Sequence, residues 1–200
     1  MSKNEPVLVL NRNDIPRQWS EIQVSIPCYN ELSKNLNQIP YSWLARNLAE
    51  DNTDFKQLIP YIIVKHHDKI SSYARQGNEK RLVGLKSIGV GGHIEMVDHQ
   101  NNAQLIDIAY NCAKRELEEE FGLSQTMYKP LSLLGLINEE ITAVGKVHFG
   151  IVLLCEPYQQ PNPQEELVNL EWLNRNCINP TAYELWSTLA LELFDKQSSF

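Results

Sequence analysis

The chain has 200 residues, of which 42% are hydrophobic, and its formal net charge is -7 at pH 7. This length fits one domain with a sizeable core. The negative charge argues against a nucleic-acid polymer as the partner, because proteins that bind a phosphate backbone carry basic patches. A small phosphorylated ligand remains compatible with it, because a bound divalent cation reverses the local field.

No stretch approaches the roughly 20 apolar residues that cross a bilayer, so we expect no membrane partner. The first apolar run, VLVL, is too short for a signal peptide. The four cysteines form no CxxC pair and are typical of free thiols in a reducing compartment: Cys28, Cys112, Cys155 and Cys177. The sequence therefore predicts a cytoplasmic protein.

Short apolar runs define the first part of the chain. Residues 7–10 and 22–26 are typical of strands, and Pro16 and Pro27 mark the breaks after them. The stretch YSWLARNLAE, residues 41–50, favours a short helix. We expect residues 1–55 to be an elaboration packed on a main domain of residues 56–200, and they are a candidate homodimer contact.

From residue 58 the pattern becomes that of an α+β domain. Apolar residues recur every fourth position over 105–121, which predicts a helix that Gly122 ends. A second, amphipathic helix is expected at 181–195. Extended segments are expected at 58–67, 70–76, 80–92, 131–138, 146–157 and 167–173. This order predicts an α+β sandwich.

Three glutamates share one face of the first predicted helix. At about 100° per residue, Glu116, Glu119 and Glu120 project into one sector. Like charges at this spacing repel each other, and the C-terminal end of a helix disfavours anions. A solvated surface accounts for such a cluster, and so does a bound cation. Mg²⁺ suits an all-oxygen site that also binds substrate phosphates.

The stretch RELEEEFGL, residues 115–123, resembles the second half of the signature of the Nudix hydrolases. That half reads Arg-Glu, an aliphatic residue, any residue, Glu-Glu, any residue, Gly and an aliphatic residue. The run GVGGHIE, residues 89–95, is similar to the start of the signature, with Gly92 at its fixed glycine. The resemblance covers about residues 58–195. It implies a Nudix-type α/β/α sandwich with a mixed sheet, and a hydrolase acting on acid anhydrides in phosphorus-containing compounds.

The loop between the two halves departs from the family pattern. Twenty-two residues separate Gly92 from Arg115 where the family has thirteen, so the loop carries nine extra residues. Aspartates stand where the family has glutamate: Asp98 lies six residues after Gly92, and Asp107 lies eight before Arg115. We expect Asp107 to take the helix-side place and to pair with Arg115, while Asp98 is an acid of the loop.

The resemblance also implies a metal site. Glu119 and Glu120 would be ligands of Mg²⁺, or of Mn²⁺ in its place, and the carbonyl of Gly92 would be a further ligand. Glu116 would be either a ligand or the general base. Arg115 would orient the glutamates by charge-assisted hydrogen bonds.

In several members of the family the base lies on a separate loop, which makes Glu139 or Glu140 the reserve candidate for that role. Four other residues are candidates for substrate binding, beside the alternatives of a surface cation or a structural histidine: Arg75, Arg81, His93 and His148.

The function expected from the resemblance is Mg-dependent hydrolysis of a phosphoanhydride bond in a nucleoside diphosphate-linked or similar small diphosphate substrate. A catalytically silent nucleotide-binding regulator is one alternative, disfavoured because the glutamates are all present. An isopentenyl diphosphate isomerase-like enzyme is another. It would need a cysteine and a glutamate facing the carbon skeleton, and Cys112 and Cys155 are poorly placed in sequence for that.

Overall fold

The computed structural model describes residues 4–20, 24–74, 84–162, 167 and 169–197. Its strands are β1 (Pro6–Asn11), β2 (Val24–Pro27), β3 (Tyr41–Ala45), β4 (Phe55–His66), β5 (Lys69–Ala74), β6 (Lys86–Ser87), β7 (Gly89–Val90), β8 (Ser132–Asn138), β9 (His148–Cys155) and β10 (Glu171–Asn174). Its α-helices are α1 (Leu32–Leu36), α2 (Arg46–Ala49), α3 (Leu105–Phe121) and α4 (Leu185–Gln197). Within these ranges, no helix is long and apolar enough to cross a membrane.

Strand β4 is the centre of a mixed sheet. Strand β9 runs parallel to it, from Gln57 opposite His148 to Val64 opposite Cys155. On its other edge β4 pairs antiparallel with β1, β7 and β5 in turn. The main strand order is β10-β5-β4-β9-β8-β2. A strand enclosed on both edges and both faces is expected to be a nearly continuous apolar run, which explains the sequence of β4.

Helices cover both faces of this sheet. Side chains alternate along β4, so Leu58 and Ile62 pack in one cluster with the apolar side of α3, whereas Tyr61 and Ile63 pack in another with α4. A third, smaller cluster joins β1 to α2. The arrangement confirms the predicted α+β sandwich with a mixed sheet.

Helix α3 spans the residues that its apolar period predicted. At its start, Gln104 and Asp107 form a capping box. At its end, Gly122 adopts the left-handed conformation with φ 64° and donates its N–H to the carbonyl of Glu118. The apolar stripe is buried against β4, so the polar side of the helix, with its glutamates, faces the loops.

The prediction of a helix over residues 41–50 is wrong for the first half of that stretch. The chain forms β3 up to Ala45, and only then the single turn α2. Strand β3 pairs with β1 from Pro6 opposite Ala45 to Leu10 opposite Tyr41. Tyrosine and tryptophan suit a strand, and this pairing outweighs a weak local helix preference.

The end of the domain differs from the expectation only at its boundaries. The closing helix begins at Leu185 instead of residue 181, because a 3-10 turn, Pro180–Ala182, precedes it. The side chain of Asn179 accepts from the backbone N–H of Thr181 and so starts that turn. The last strand, Glu171–Asn174, begins inside the predicted segment 167–173 and ends one residue beyond it.

Candidate active site

Two consecutive glycines bring the chain after β7 against both β4 and α3. A Cβ on Gly91 would lie 1.9 Å from the carbonyl oxygen of Pro60 in β4. A Cβ on Gly92 would lie 2.3 Å from Oε1 of Glu116 in α3. Real Cβ atoms do not approach other atoms this closely, so a side chain at Gly91 would clash with the backbone, and one at Gly92 would displace the Glu116 carboxylate. Glu116 is consequently 3% exposed, with its carboxylate over the glycine backbone.

Arg115 ties helix α3 to the inserted loop. Its Nε and Nη2 donate to Oδ1 and Oδ2 of Asp98, each at 3.0 Å. Its Nη1 donates to Oε1 of Glu116 at 2.7 Å and to Oε2 of Glu119 at 3.1 Å. Nη2 also donates to the carbonyl of His93 at 3.0 Å. One guanidinium therefore holds an oxygen of each of two glutamates and anchors the segment after the glycines.

The expected pairing of Asp107 with Arg115 is wrong, and Asp98 is the partner. Eight residues along a helix span about 12 Å, which places Asp107 two turns away from Arg115. Asp107 instead accepts from the backbone N–H of Gln104 at 3.3 Å, as part of the cap. Asp98 is 4% exposed and also accepts from the N–H of Glu95 at 2.9 Å. The six-residue spacing from Gly92 was the sequence signal that indicated Asp98.

Burial dominates the electrostatics of Glu116. It raises the pKa of this carboxyl to about 7, against the opposing effect of Arg115. Glu119 and Glu120 on the same helix face raise that pKa further, because like charges disfavour ionisation. A carboxylate in this setting is stabilised by an additional cation.

The donor chemistry of this helix face fits a hard divalent cation, because three glutamates share it. In the described residues, however, no three side chains of His, Cys, Asp or Glu stand in an arrangement that would hold a metal ion as it is. Arg115 takes one oxygen each from Glu116 and Glu119, and the second oxygen of each lies outside those bonds. The carbonyl of Gly92, the expected further ligand, lies 3.9 Å from the buried thiol of Cys112.

Two predicted substrate residues, His93 and His148, come together beside the glycines. Their Nε2 atoms are 3.4 Å apart. Nδ1 of His148 lies 2.8 Å from the carbonyl oxygen of Val144, and because a carbonyl only accepts, this nitrogen carries the hydrogen. Burial lowers the pKa of His148 to about 4 and that of His93 well below its ordinary value, so both rings are neutral at pH 7.

Glu139 lies at the start of the β8–β9 loop (residues 139–147) and organises that loop. It is fully buried, and its Oε2 accepts from the backbone N–H groups of Ile141 at 2.7 Å and Thr142 at 2.9 Å. Its Oε1 accepts from the hydroxyl of Thr142. A Cβ on Gly145 would meet the same carboxylate at 1.8 Å. The acceptor capacity of Glu139 is thus committed to its own loop, which disfavours it as a general base.

The neighbouring Glu140 reveals two functional candidates that the sequence interpretation missed. Its Oε1 lies 2.5 Å from Nη1 of Arg12 and 2.8 Å from Nζ of Lys56. Both cations are distant in sequence from the loop, so no local pattern connects them. A lysine at the start of the apolar run of β4 was the only available signal.

Of the remaining candidates, Arg75 and Arg81 lie outside the described residues. Lys86, which follows them, forms an ion pair of 2.8 Å with Glu171 at the surface. All four cysteines are free thiols, as expected.

The chain is similar to one curated protein and to several solved structures. No protein-family model matches it. Protein YmaB of Bacillus subtilis (strain 168) is 29% identical over 206 residues, which cover 96% of this chain and 98% of that protein. The crystal structure of Tm1382, described as a candidate Nudix hydrolase, matches with a TM-score of 0.79 and 24% identity over 96% of this chain and 100% of its own. A MutT Nudix hydrolase from Burkholderia pseudomallei matches with a TM-score of 0.52 and 18% identity over 69% of this chain and 97% of its own. Together with the sandwich, the glycine turn and the glutamate-bearing helix, these likenesses show that the chain has the Nudix fold.

Proposed function

We propose that the protein is a hydrolase that cleaves a phosphoanhydride bond in a nucleoside diphosphate-linked or similar small diphosphate substrate. The observation that carries the proposal is the buried carboxylate of Glu116, which lies over Gly92 and is held by Arg115. Its burial disfavours the ionised form, and an added divalent cation would restore it. The fold shared with structures described as Nudix hydrolases supports the same activity.

The cation in this proposal is Mg²⁺, with Mn²⁺ as a substitute, held by Glu116, Glu119 and Glu120. Such a cation neutralises phosphate oxygens and makes a water molecule more acidic. Phosphoryl transfer otherwise demands little covalent chemistry from the protein. Arg115 keeps two of the glutamates in place, and an ionised Glu116 serves as a ligand or accepts the proton of the attacking water.

The two histidines have a different role in this proposal. Because His93 and His148 are neutral, they position the substrate by uncharged hydrogen bonds and are not the counter-ions of its phosphates. Neutralising the charge of the phosphates requires cations, and Arg75 and Arg81 remain the proposed contacts for this role.

An isomerase of prenyl diphosphates is disfavoured by the position of the cysteines. Cys112 and Cys155 are both fully buried in the cluster beneath α3. Burial also raises the pKa of Cys155 to about 12, which suppresses the thiolate. Both side chains are shielded from solvent, which disfavours attack of either sulfur on a substrate carbon.

The proposal is tested by measuring phosphate or nucleoside monophosphate release from dinucleotides, nucleotide sugars, nucleoside triphosphates and prenyl diphosphates, with and without Mg²⁺. We expect Mg-dependent turnover that Glu119→Gln lowers at least about 100-fold. Glu118→Gln is the matched control, because Glu118 is an exposed glutamate of the same helix turn. Binding of Mg²⁺ and a nucleotide with no turnover of any substrate would overturn the hydrolase and favour a silent regulator.

A further inference from the structure

Lys56, near the start of β4, is a fully buried cation that the proposed chemistry does not use. Its Nζ donates to the carbonyl of Gly145 at 2.6 Å and lies 3.3 Å and 3.4 Å from the carbonyls of Glu139 and His148. Glu140 supplies the counter-charge at 2.8 Å. Burial lowers the pKa of Lys56, and Glu140 opposes that effect. A buried ammonium is tolerated only with such compensation, and here the β8–β9 loop provides it.

Arg12, just after β1, holds the same loop from its other side. Its Nη2 donates to the carbonyl of Lys146 at 2.5 Å, and its Nη1 donates to the carboxylate of Glu140. Its Nε donates to the carbonyl of Thr53 at 2.7 Å, which anchors the guanidinium to the turn before β4. Glu140 is therefore shared by two cations, one in β4 and one just after β1.

These contacts lie next to the loop carbonyl that hydrogen-bonds His148. The carbonyl of Val144 accepts the hydrogen on Nδ1 of His148, and the next two carbonyls, of Gly145 and Lys146, are bound by Lys56 and Arg12. A loop held at adjacent carbonyls keeps the Val144 carbonyl in place. In a neutral imidazole, a hydrogen on Nδ1 leaves Nε2 as the acceptor, and this atom faces His93.

We propose that Lys56 and Arg12 are positioning residues of the active site, which fix the β8–β9 loop and, through the Val144 carbonyl, the tautomer and orientation of His148. The kinetic part of this inference rests on the proposed function, whereas its structural part does not. It also gives residues 1–55 a role in the site, because Arg12 belongs to them.

The test compares Arg12→Gln with Arg175→Gln. Both arginines are about equally exposed, at 32% and 35% of the side chain, and Arg175 binds Asp195 in an ion pair at the end of α4. The ¹⁵N NMR signals of the His148 imidazole report its tautomer, and kcat and KM are measured on the best diphosphate substrate. We expect Arg12→Gln to convert His148 from the Nδ1–H form to a mixture and to lower kcat about 10-fold or more, with a smaller change in KM. Arg175→Gln should change neither, and Arg12→Lys should recover part of both.

Each other outcome contradicts the inference in a defined way. An unchanged His148 signal in Arg12→Gln overturns the inference. It does so even if kcat falls, because Arg12 would then act on kcat without changing the tautomer of His148. A changed signal with unchanged kcat overturns the positioning role. If the wild-type protein hydrolyses no substrate, the proposed function fails, and the His148 signal alone still decides whether Arg12 influences the tautomer.

Discussion

The buried carboxyl of Glu116 contributes to the stability of the metal-free protein, and this contribution is lost as the pH rises. Its pKa is raised from the ordinary 4.5 to about 7, so the folded state binds this proton more tightly than the unfolded state. The stabilisation is fully present below pH 4.5 and is lost as the pH rises through 7. Each pKa unit corresponds to about 1.4 kcal/mol, so the contribution of Glu116 to the free energy of unfolding falls by about 3 kcal/mol across this range.

Glu116→Gln isolates this contribution, because glutamine has the shape of the protonated form and does not ionise. In EDTA, we expect the variant and the wild type to be about equally stable near pH 4.5, and the variant to be more stable by about 3 kcal/mol at pH 8. Urea unfolding at a series of pH values measures the difference. The pKa of His148 is lowered to about 4, so its contribution to the free energy of unfolding rises with pH. This contribution is the same in both proteins and cancels in the comparison.

Mg²⁺ should narrow the difference between the two proteins at pH 8. A cation held by the ionised carboxylate stabilises the wild type by about 2.7 kcal/mol at one hundred times its dissociation constant, and Glu116→Gln gains less. Glu118→Gln should follow the wild type under every condition. A pH-independent difference between wild type and Glu116→Gln in EDTA, or a variant that is the less stable protein at pH 8, would refute the reasoning.

Two further predictions concern the neighbours of this carboxylate. Asp98→Asn removes one arm of the bidentate pair with Arg115, so we expect it to lower turnover about 10- to 100-fold, whereas Asp107→Asn should leave turnover close to that of the wild type. An equal loss of turnover in both variants would contradict the assigned pairing. Gly92→Ala places a methyl group on the Glu116 carboxylate, so we expect turnover to fall about 100-fold and Mg²⁺ binding, measured by calorimetry, to weaken. An unchanged Mg²⁺ affinity would contradict the role of Glu116 as a ligand.

The features that were predictable from the sequence are those that local residues determine. The period of apolar residues and Gly122 suffice for the bounds of α3, and the apolar run suffices for β4. Tyr41 and Trp43 were misassigned because their strand exists only through pairing with β1, which lies thirty residues away. A local preference does not contain that information.

Some residues of the candidate site were likewise predictable from the local sequence, and others were not. The glutamate face of α3 follows from residue spacing on a helix, and the Gly92 turn follows from a short motif. The partner of Arg115 depends on the path of the inserted loop. For this reason the spacing along the helix indicated Asp107, whereas the partner is Asp98. Lys56 and Arg12 meet Glu140 only because β4, β1 and the β8–β9 loop converge in the folded sheet.

The parallel pairing of β4 with β9 has a consequence for how the chain folds. It joins Gln57 to His148, so a long intervening chain must close before these contacts form. Pairings between distant segments slow folding, and mixed α/β domains that depend on them fold more slowly than helical bundles. Helix α3 and the β4–β5 hairpin are local and can form early. Because Lys56 lies at the start of β4 and Glu140 shortly before β9, we expect their ion pair to form only after β4 and β9 have paired.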